Sequence, residues 1–357
     1  MSPKDILSLR LYNQHLTCPQ FTKPVDLVTH LGAVQSQEYI GAKWAVGQRL
    51  IGATNESMDT AFNNGEILRT HVMRPTWHFV APNDILWMQE LTCPRVKRIM
   101  EYYNKNLELD TKIFDKTNSL LVKNLKGKSM TRAEIKELLL KKGIDATTQR
   151  LAHIVSWAEL DGLICSGPTR GKQHTYALVE DRAPHAKRLS HDEALLELTR
   201  RYFQSHGPAT VKDFVWWSGL LTIDARRGLE LLDKSVEHEI VGSKTYWFFR
   251  SDIPKMPDKV YLLPTYDENT IAYTERELFY DNKNENIMGR PGNALFLNAV
   301  MHEGKVIAAW RRSFTKKEAI VDLRPFEKFT KFQTNQLQKT AEKYGRFFGL
   351  TPRLASI

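Results

Sequence analysis

The feature that most constrains this chain is a local pattern that recurs along it. Two helical stretches joined by a short turn are followed at once by two β-prone runs around a turn. The pattern is clearest between Met130 and Val179. Thr131 stands three residues before Glu134, the reciprocal pairing of side chain and backbone that opens a helix. Ile135, Leu138 and Leu139 then recur at helical spacing, and Lys141-Lys142-Gly143 provides the cations and the glycine of a helix end. Leu151, Ile154, Val155 and Ala158 lay one apolar stripe along a second helix, which Thr147 would cap. Gly162 to Cys165, a turn from Pro168 to Lys172, and His174 to Leu178 read as a hairpin with Arg170 and Lys172 at its tip. Helix, turn, helix and hairpin, in that order, is a winged helix.

The order recurs twice. Ser190 with Glu193 opens a helix striped by Ala194, Leu195, Leu198 and Tyr202. Gly207-Pro208-Ala209 breaks the chain, and Thr210 caps a helix containing Phe214, Val215 and Trp217. Thr222 begins another with Leu229 and Leu232 on one face. Val236 to Val241 and Tyr246 to Phe249 then flank the turn Gly242-Ser243-Lys244. Nearer the N-terminus, helical patterns cover Ile6 to His15, Val25 to Leu31 and Met58 to Asn63. Ile67 to Met73, the turn Arg74-Pro75-Thr76, and Trp77 to Ala81 supply the hairpin. After Arg250, prolines at 254, 257 and 264 mark a change. Leu295 to Met301, the turn His302-Glu303-Gly304, Lys305 to Arg311 and Ala319 to Leu323 form a small β-rich unit, closed by a helix from Phe329 to Phe348. The expected fold is therefore α+β: three tandem winged-helix modules, at 1–103, 104–180 and 181–252, then a β-barrel-like module at 253–357.

Winged helices commonly hold nucleic acid, and charge is the next test. The 357 residues carry 51 Lys plus Arg against 41 Asp plus Glu, a formal net charge of +10. The excess is local. Residues 1–120 are nearly balanced, whereas basic side chains outnumber acidic ones two to one over 121–179. Such a patch attracts polyanions, and double-stranded DNA is the expected partner. No apolar run is long enough to span a bilayer, and Lys4, Asp5 and Arg10 interrupt any leader-like stretch. Cys18, Cys93 and Cys165 are too few and too scattered for a disulfide framework or a zinc site. A cytoplasmic protein is the expectation, and nothing suggests obligate assembly beyond a monomer.

No phosphate-cradling glycine loop and no Gly-x-Ser-x-Gly elbow occurs, and no His pair has metal-ligand spacing. His71 and His78 fall on facing strands, with no cysteine or acidic cluster beside them in sequence. One segment is more informative: Gly32-Ala33-Val34-Gln35-Ser36-Gln37-Glu38-Tyr39. On an extended backbone Gln35 and Gln37 share a face, because strand side chains alternate. The same residues also read as a polar turn with exposed amides.

At this segment the chain resembles the AlkZ-like DNA glycosylases, a family that includes the YcaQ type. So do the residues from Asn63 to His78, with their run Arg69-Thr70-His71-Val72-Met73-Arg74-Pro75-Thr76-Trp77-His78. The resemblance continues through Leu262-Leu263-Pro264-Thr265-Tyr266-Asp267-Glu268 and Gly304-Lys305-Val306-Ile307-Ala308-Ala309-Trp310-Arg311, so it spans nearly the whole chain. It implies a C-shaped molecule of three winged helices and a β-barrel around a basic concave cleft. It also implies excision of alkylated or crosslinked bases without a cofactor. The family's catalytic Gln-x-Gln matches Gln35 and Gln37. The YcaQ type carries Gln-x-Asp, so this chain falls on the AlkZ side. Its middle residue, usually apolar, is here Ser36.

The implied chemistry is physically reasonable. Losing a base passes through an oxocarbenium-like transition state, for which most glycosidases use paired carboxylates. An amide cannot ionise, but it can accept a hydrogen bond from water and aim that water at the sugar. This suffices when the base already carries a positive charge, so two amides imply cationic alkylpurines as substrates. Glu38 is the alternative base. No lysine nucleophile is evident, so no strand cleavage is expected. Arg69, Arg74, Thr76, His78, Arg170, Lys172, His302, Arg311 and Arg312 are the expected DNA contacts, with the tip at His302-Glu303-Gly304 probing the minor groove. Gln149, Arg150 and His153 lie opposite their helix's apolar stripe as a potential recognition face. Trp216, Trp217 and Trp247 read as core or as base-stacking surfaces. A competing reading is a non-catalytic winged-helix regulator or architectural protein, which would have no use for Gln35 and Gln37.

Overall fold

The computed structural model describes residues 1–284 and 298–356. The fold is α+β, and its sheets are joined through shared cores. Helices α1 (Pro3–Asn13) and α2 (Pro24–Leu31) lead into β1 (Val34–Gln35). Then come α3 (Tyr39–Gly47), α4 (Asn55–Asn64), β2 (Leu68–Val72) and β3 (Arg74–Val80). The strands form an antiparallel sheet in the order β1-β3-β2, with Val34 opposite Phe79 and Gln35 opposite His78. The turn expected at Arg74-Pro75-Thr76 is one residue earlier and tighter. Met73 alone turns the chain at φ 65°, and Arg74 to Thr76 are already strand. The turn is braced from outside: a Cβ on Gly219 would lie 2.0 Å from the Met73 carbonyl oxygen, and Gly219 itself has φ 72°.

The long helix α5 (Ile85–Asn106) carries the chain without a break across the boundary read at 103/104. It is followed by α6 (Thr111–Leu125), β4 (Met130–Thr131), α7 (Arg132–Lys141) and α8 (Thr148–Leu160). Next are β5 (Ile164–Arg170), β6 (Gln173–Leu178) and α9 (Val179–Arg182). The capping box on Thr131 and Glu134 forms as read, whereas Thr147 makes no side-chain cap. Leu121, Ile135, Leu139, Ile154, Ala158 and Ile164 close a core of this unit's own. Downstream lie α10 (His191–His206), α11 (Val211–Ser218), α12 (Thr222–Leu232) and the hairpin of β7 (Glu237–Val241) and β8 (Lys244–Phe248).

The last sheet is five-stranded, in the order β13-β12-β11-β10-β9. Its members are β9 (Val260–Leu263), β10 (Asn298–His302), β11 (Lys305–Phe314), β12 (Glu318–Pro325) and β13 (Thr351–Ala355). The part of the expected strand at 295–297 lies outside the described residues. Two short elements complete the unit, α13 (Glu268–Ile271) after β9 and α14 (Lys331–Phe348) before β13. The closing helix was legible. The parallel pairing of β13 with β12 that follows it was not.

The first and last parts of the chain share one core. Leu27, Val34, Trp44 and Phe62 pack with Val260, Leu262, Trp310, Leu337, Tyr344 and Phe347. Burying an indole requires a partner for its N–H. Trp44 finds one in the Leu262 carbonyl at 2.7 Å, and Trp310 in that of Leu263 at 2.9 Å. Strand β9 therefore lies directly behind the segment that bears the two glutamines.

Candidate active site

β1 is an edge strand only two residues long, and its pairing with β3 ends in an unusual way. Ser36 donates its N–H to the Trp77 carbonyl at 2.7 Å. The return bond of that pair is replaced. The Trp77 N–H goes to the Gln37 side-chain oxygen at 3.3 Å, and the Ser36 carbonyl accepts from Arg69 Nε at 3.1 Å. Gln37 thus terminates the ladder with its own amide. A carbonyl oxygen has two acceptor directions, so the Gln37 oxygen can still accept a hydrogen bond from water after serving Trp77. The side chain is exposed.

Gln35 sits differently. It is 5% exposed, and its Oε1 accepts from Arg74 Nη2 at 2.9 Å. The same Arg74 nitrogen lies 3.3 Å from His78 Nε2, and His78 Nδ1 faces the Thr76 carbonyl at 3.0 Å. Behind β1, Glu268 Oε1 accepts the Gln35 backbone N–H at 2.9 Å, and its Oε2 accepts the Trp217 indole N–H at 2.8 Å. His206 Nε2 stands 3.4 Å from that second oxygen. Burial alone would push the Glu268 carboxyl up. His206, the Gln35 N–H and the Arg74 cation outweigh it and hold the group at about 2.

The common face read for Gln35 and Gln37 therefore resolves into two environments: one amide buried inside a polar pocket, the other exposed at the strand's end. Glu38 has left the strand. It caps α3 by accepting the Gly41 N–H on Oε2 at 2.7 Å, and the same oxygen pairs with Arg312 Nη2 at 2.5 Å.

Several expected DNA contacts are placed otherwise. Arg74 turns inward to Gln35, because the early turn at Met73 puts it in the strand rather than at a hairpin tip. His78 is fully buried in the same pocket, and the Thr76 hydroxyl is buried with no hydrogen-bond partner among the described residues. His302 leans on Asp258 at 3.0 Å and on Phe332, while its hairpin tip packs against α1, where a Cβ on Gly304 would meet Leu7 at 2.8 Å. Glu303 stays exposed at the tip. Arg150 and His153 turn to the Leu107 carbonyl and to Asn104 at the end of α5, so they form no open recognition face. Arg69 is half-buried, its guanidinium 4.4 Å over the Trp77 ring. Arg170 is exposed at its tip with Glu134 as partner, and Lys172 and Arg311 are exposed. Trp217 is core, whereas Trp216 is partly exposed.

Residues that sequence reasoning passed over include Glu268 and Asp267. They also include a tight His71–Glu159 pair, with Nδ1 at 2.6 Å from Oε2 beside the half-buried Trp77. The available signal was two consecutive acids, Asp267 and Glu268, separated from an apolar strand by Pro264-Thr265-Tyr266.

Two predictions arise here. The Ser36 hydroxyl is fully buried and has no hydrogen-bond partner among the described residues. Ser36→Ala removes an unsatisfied group, and urea unfolding is expected to show a gain of about 1 kcal/mol. A loss of similar size would mean the hydroxyl has a partner. The second concerns acid. Burial, then Arg74, lowers His78 from 6.5 to about 3, and burial takes His30 and His174 to about 4. Between those values and 6.5 the unfolded chain binds more protons than the fold, so stability declines as pH falls through that window. Glu268, lowered from 4.5 to about 2, adds to the decline below 4.5. The melting temperature is expected to fall already from about pH 6 downward; a flat profile to about pH 4.5 would contradict the neutral buried histidines.

The architecture has a solved counterpart. Streptomyces sahachiroi DNA glycosylase AlkZ superposes with a TM-score of 0.83 at 19% identity, covering 100% of this chain and 99% of that one. In sequence, the interstrand DNA cross-link repair glycosylase of Streptomyces sahachiroi is 24% identical over 226 residues. That match takes in 61% of this chain and 60% of the relative's length. The family model for DNA glycosylase AlkZ-like proteins matches residues 28–347, and the chain belongs to that family.

Proposed function

We propose that the protein is a monofunctional DNA glycosylase that hydrolyses the N-glycosidic bond of cationic alkylated purines, interstrand crosslinks included. The observation that carries this reading is the end of β1, where the exposed Gln37 amide keeps an acceptor direction open beside the braced Gln35. Family membership supports it. In the proposed step, water oxygen bonds to C1′ of the deoxyribose as the C1′–N bond breaks. The electron pair stays on the purine nitrogen and neutralises the base. The amides only hold the water; its surplus proton passes to solvent. A base that leaves neutral needs no protonation, which is why uncharged side chains suffice.

The binding surface in this reading is duplex DNA gripped by three winged-helix modules and the terminal sheet around a basic concave cleft. Arg69, Arg170, Lys172 and Arg311 are its phosphate contacts. No cofactor is needed, and a monomer working at the nucleoid in the cytoplasm completes the proposal.

The test is direct. The protein is incubated with a duplex containing 7-methylguanine, then heated in alkali to break the strand at abasic sites. Strand breaks at the lesion are expected, with no breaks before alkali. An unbroken duplex across methylated and crosslinked substrates would reject catalysis and leave a DNA-binding protein.

A further inference from the structure

We propose that Glu268 is the positioning residue of the glutamine strand: its carboxylate takes the place of a missing neighbour strand and holds β1 in register. The inference rests on the proposed function for its catalytic consequence, but the positioning itself does not.

The argument begins with the ladder. Antiparallel pairs alternate between hydrogen-bonded and non-bonded types. Ser36 bonds to Trp77, so the adjacent pair of Gln35 and His78 is of the non-bonded type. The Gln35 N–H therefore points away from β3, to the side where a further strand would accept it. Among the described residues no strand lies there, since β1 is the edge of its sheet. An edge N–H buried away from water must find an acceptor. Glu268 provides it, from the first turn after strand β9 of another sheet.

A carboxylate is an expensive choice for this. Moving one out of water costs several kcal/mol, and an apolar contact would stabilise a core as well. The arrangement makes sense if one rigid group must fix several elements at once. Glu268 Oε1 holds β1, Oε2 holds the Trp217 indole of α11, and its backbone belongs to the terminal sheet's connection. Arg74, which grips the Gln35 side chain, contributes its cation to the same pocket. Both ends of Gln35, amide N–H and side-chain oxygen, are thus bound to charged groups, and Gln37 lies two residues further along the same backbone. A shift of Gln35 must shift Gln37.

The experiment uses the full chain and three measurements on wild type, Glu268→Gln and Trp217→Phe. They are single-turnover base release from the 7-methylguanine duplex, affinity for the same duplex without the lesion, and hydrogen exchange of the Gln35 amide by NMR. Glu268→Gln keeps the shape but loses one strong acceptor. The Gln35 amide is expected to exchange at least about tenfold faster, and base release to fall about 10–100-fold, as a displacement near 1 Å does elsewhere. Undamaged-duplex affinity is expected to change less than about twofold. Trp217→Phe, which leaves the Gln35 contact in place, is expected to retain slow Gln35 exchange. Unchanged exchange in Glu268→Gln overturns the proposal. So does a variant that melts or loses DNA affinity in proportion to its rate, since that is a plain core role. If wild type releases no base yet the exchange result holds, the functional reading fails and the positioning stands.

Discussion

Replacing Arg49 with methionine is expected to cost about 3–5 kcal/mol of stability and about 10 °C in melting temperature. Arg49 is almost wholly buried at the end of α3 and forms a two-pronged pair with Asp267, Nη1 to Oδ2 at 2.9 Å and Nη2 to Oδ1 at 2.7 Å. Its remaining donors reach the Ala45 carbonyl at 2.8 Å and the Gln14 carbonyl at 3.1 Å. Methionine matches the length and fills the space, so the loss measures what happens to Asp267. That carboxylate is fully buried and would keep only the Asn269 N–H at 2.9 Å and a long contact from Gln48 at 3.4 Å. An unpaired buried charge is the costly outcome. Arg49→Lys is expected to recover little, because a single ammonium cannot reproduce the fork. Equal stability of wild type and the methionine variant in guanidinium titrations would mean that the pair is not a lock between α3 and the terminal sheet.

The second large effect falls on chemistry. Gln37→Ala is expected to lower single-turnover base release by about 10²-fold, the usual consequence of losing one oriented contact to the reacting group. The side chain is exposed and, among the described residues, its one hydrogen bond is a long one accepted from the Trp77 N–H, so stability should move less than about 0.5 kcal/mol. Gln35→Ala is expected to slow release similarly and also to destabilise by about 1–3 kcal/mol, since Arg74 loses its acceptor inside the pocket. The pairing of outcomes is diagnostic. If Gln37→Ala releases bases at the wild-type rate, water is held by something else, and the His71–Glu159 pair is the next group to remove.

How much of this was legible depended on how local the determining interactions are. Helix starts were read well where a capping residue and its partner lie three apart, as at Ser190 with Glu193 and Thr210 with Asp213. Helix α3 was not anticipated, although it begins right after the glutamine motif. Gly41 to Gly47 is buried on every side, so it carries no apolar stripe to betray a helix. The turn at Met73 was misplaced because Pro75 looks like a turn residue, yet it fits an extended strand. Glu268 could not be assigned at all. Its partner Gln35 lies 233 positions away, and nothing in a periodicity reports a contact of that range. The two glutamines were found through a resemblance, and their unequal burial only through the fold.

The sharing of one core by the chain's opening and closing parts has a consequence for its synthesis. Trp44 rests on Tyr344 and Phe347, with ring centroids 5.0 and 5.3 Å away. A ribosome-bound intermediate that ends before those aromatics leaves Trp44 without the two rings it packs on, whatever its N-terminal helices have achieved. The unit of residues 104–180, with a core to itself, can consolidate early, while the glutamine strand waits for the C-terminal helix. Translation thus completes the self-contained unit of residues 104–180 well before the glutamine strand gains its full backing.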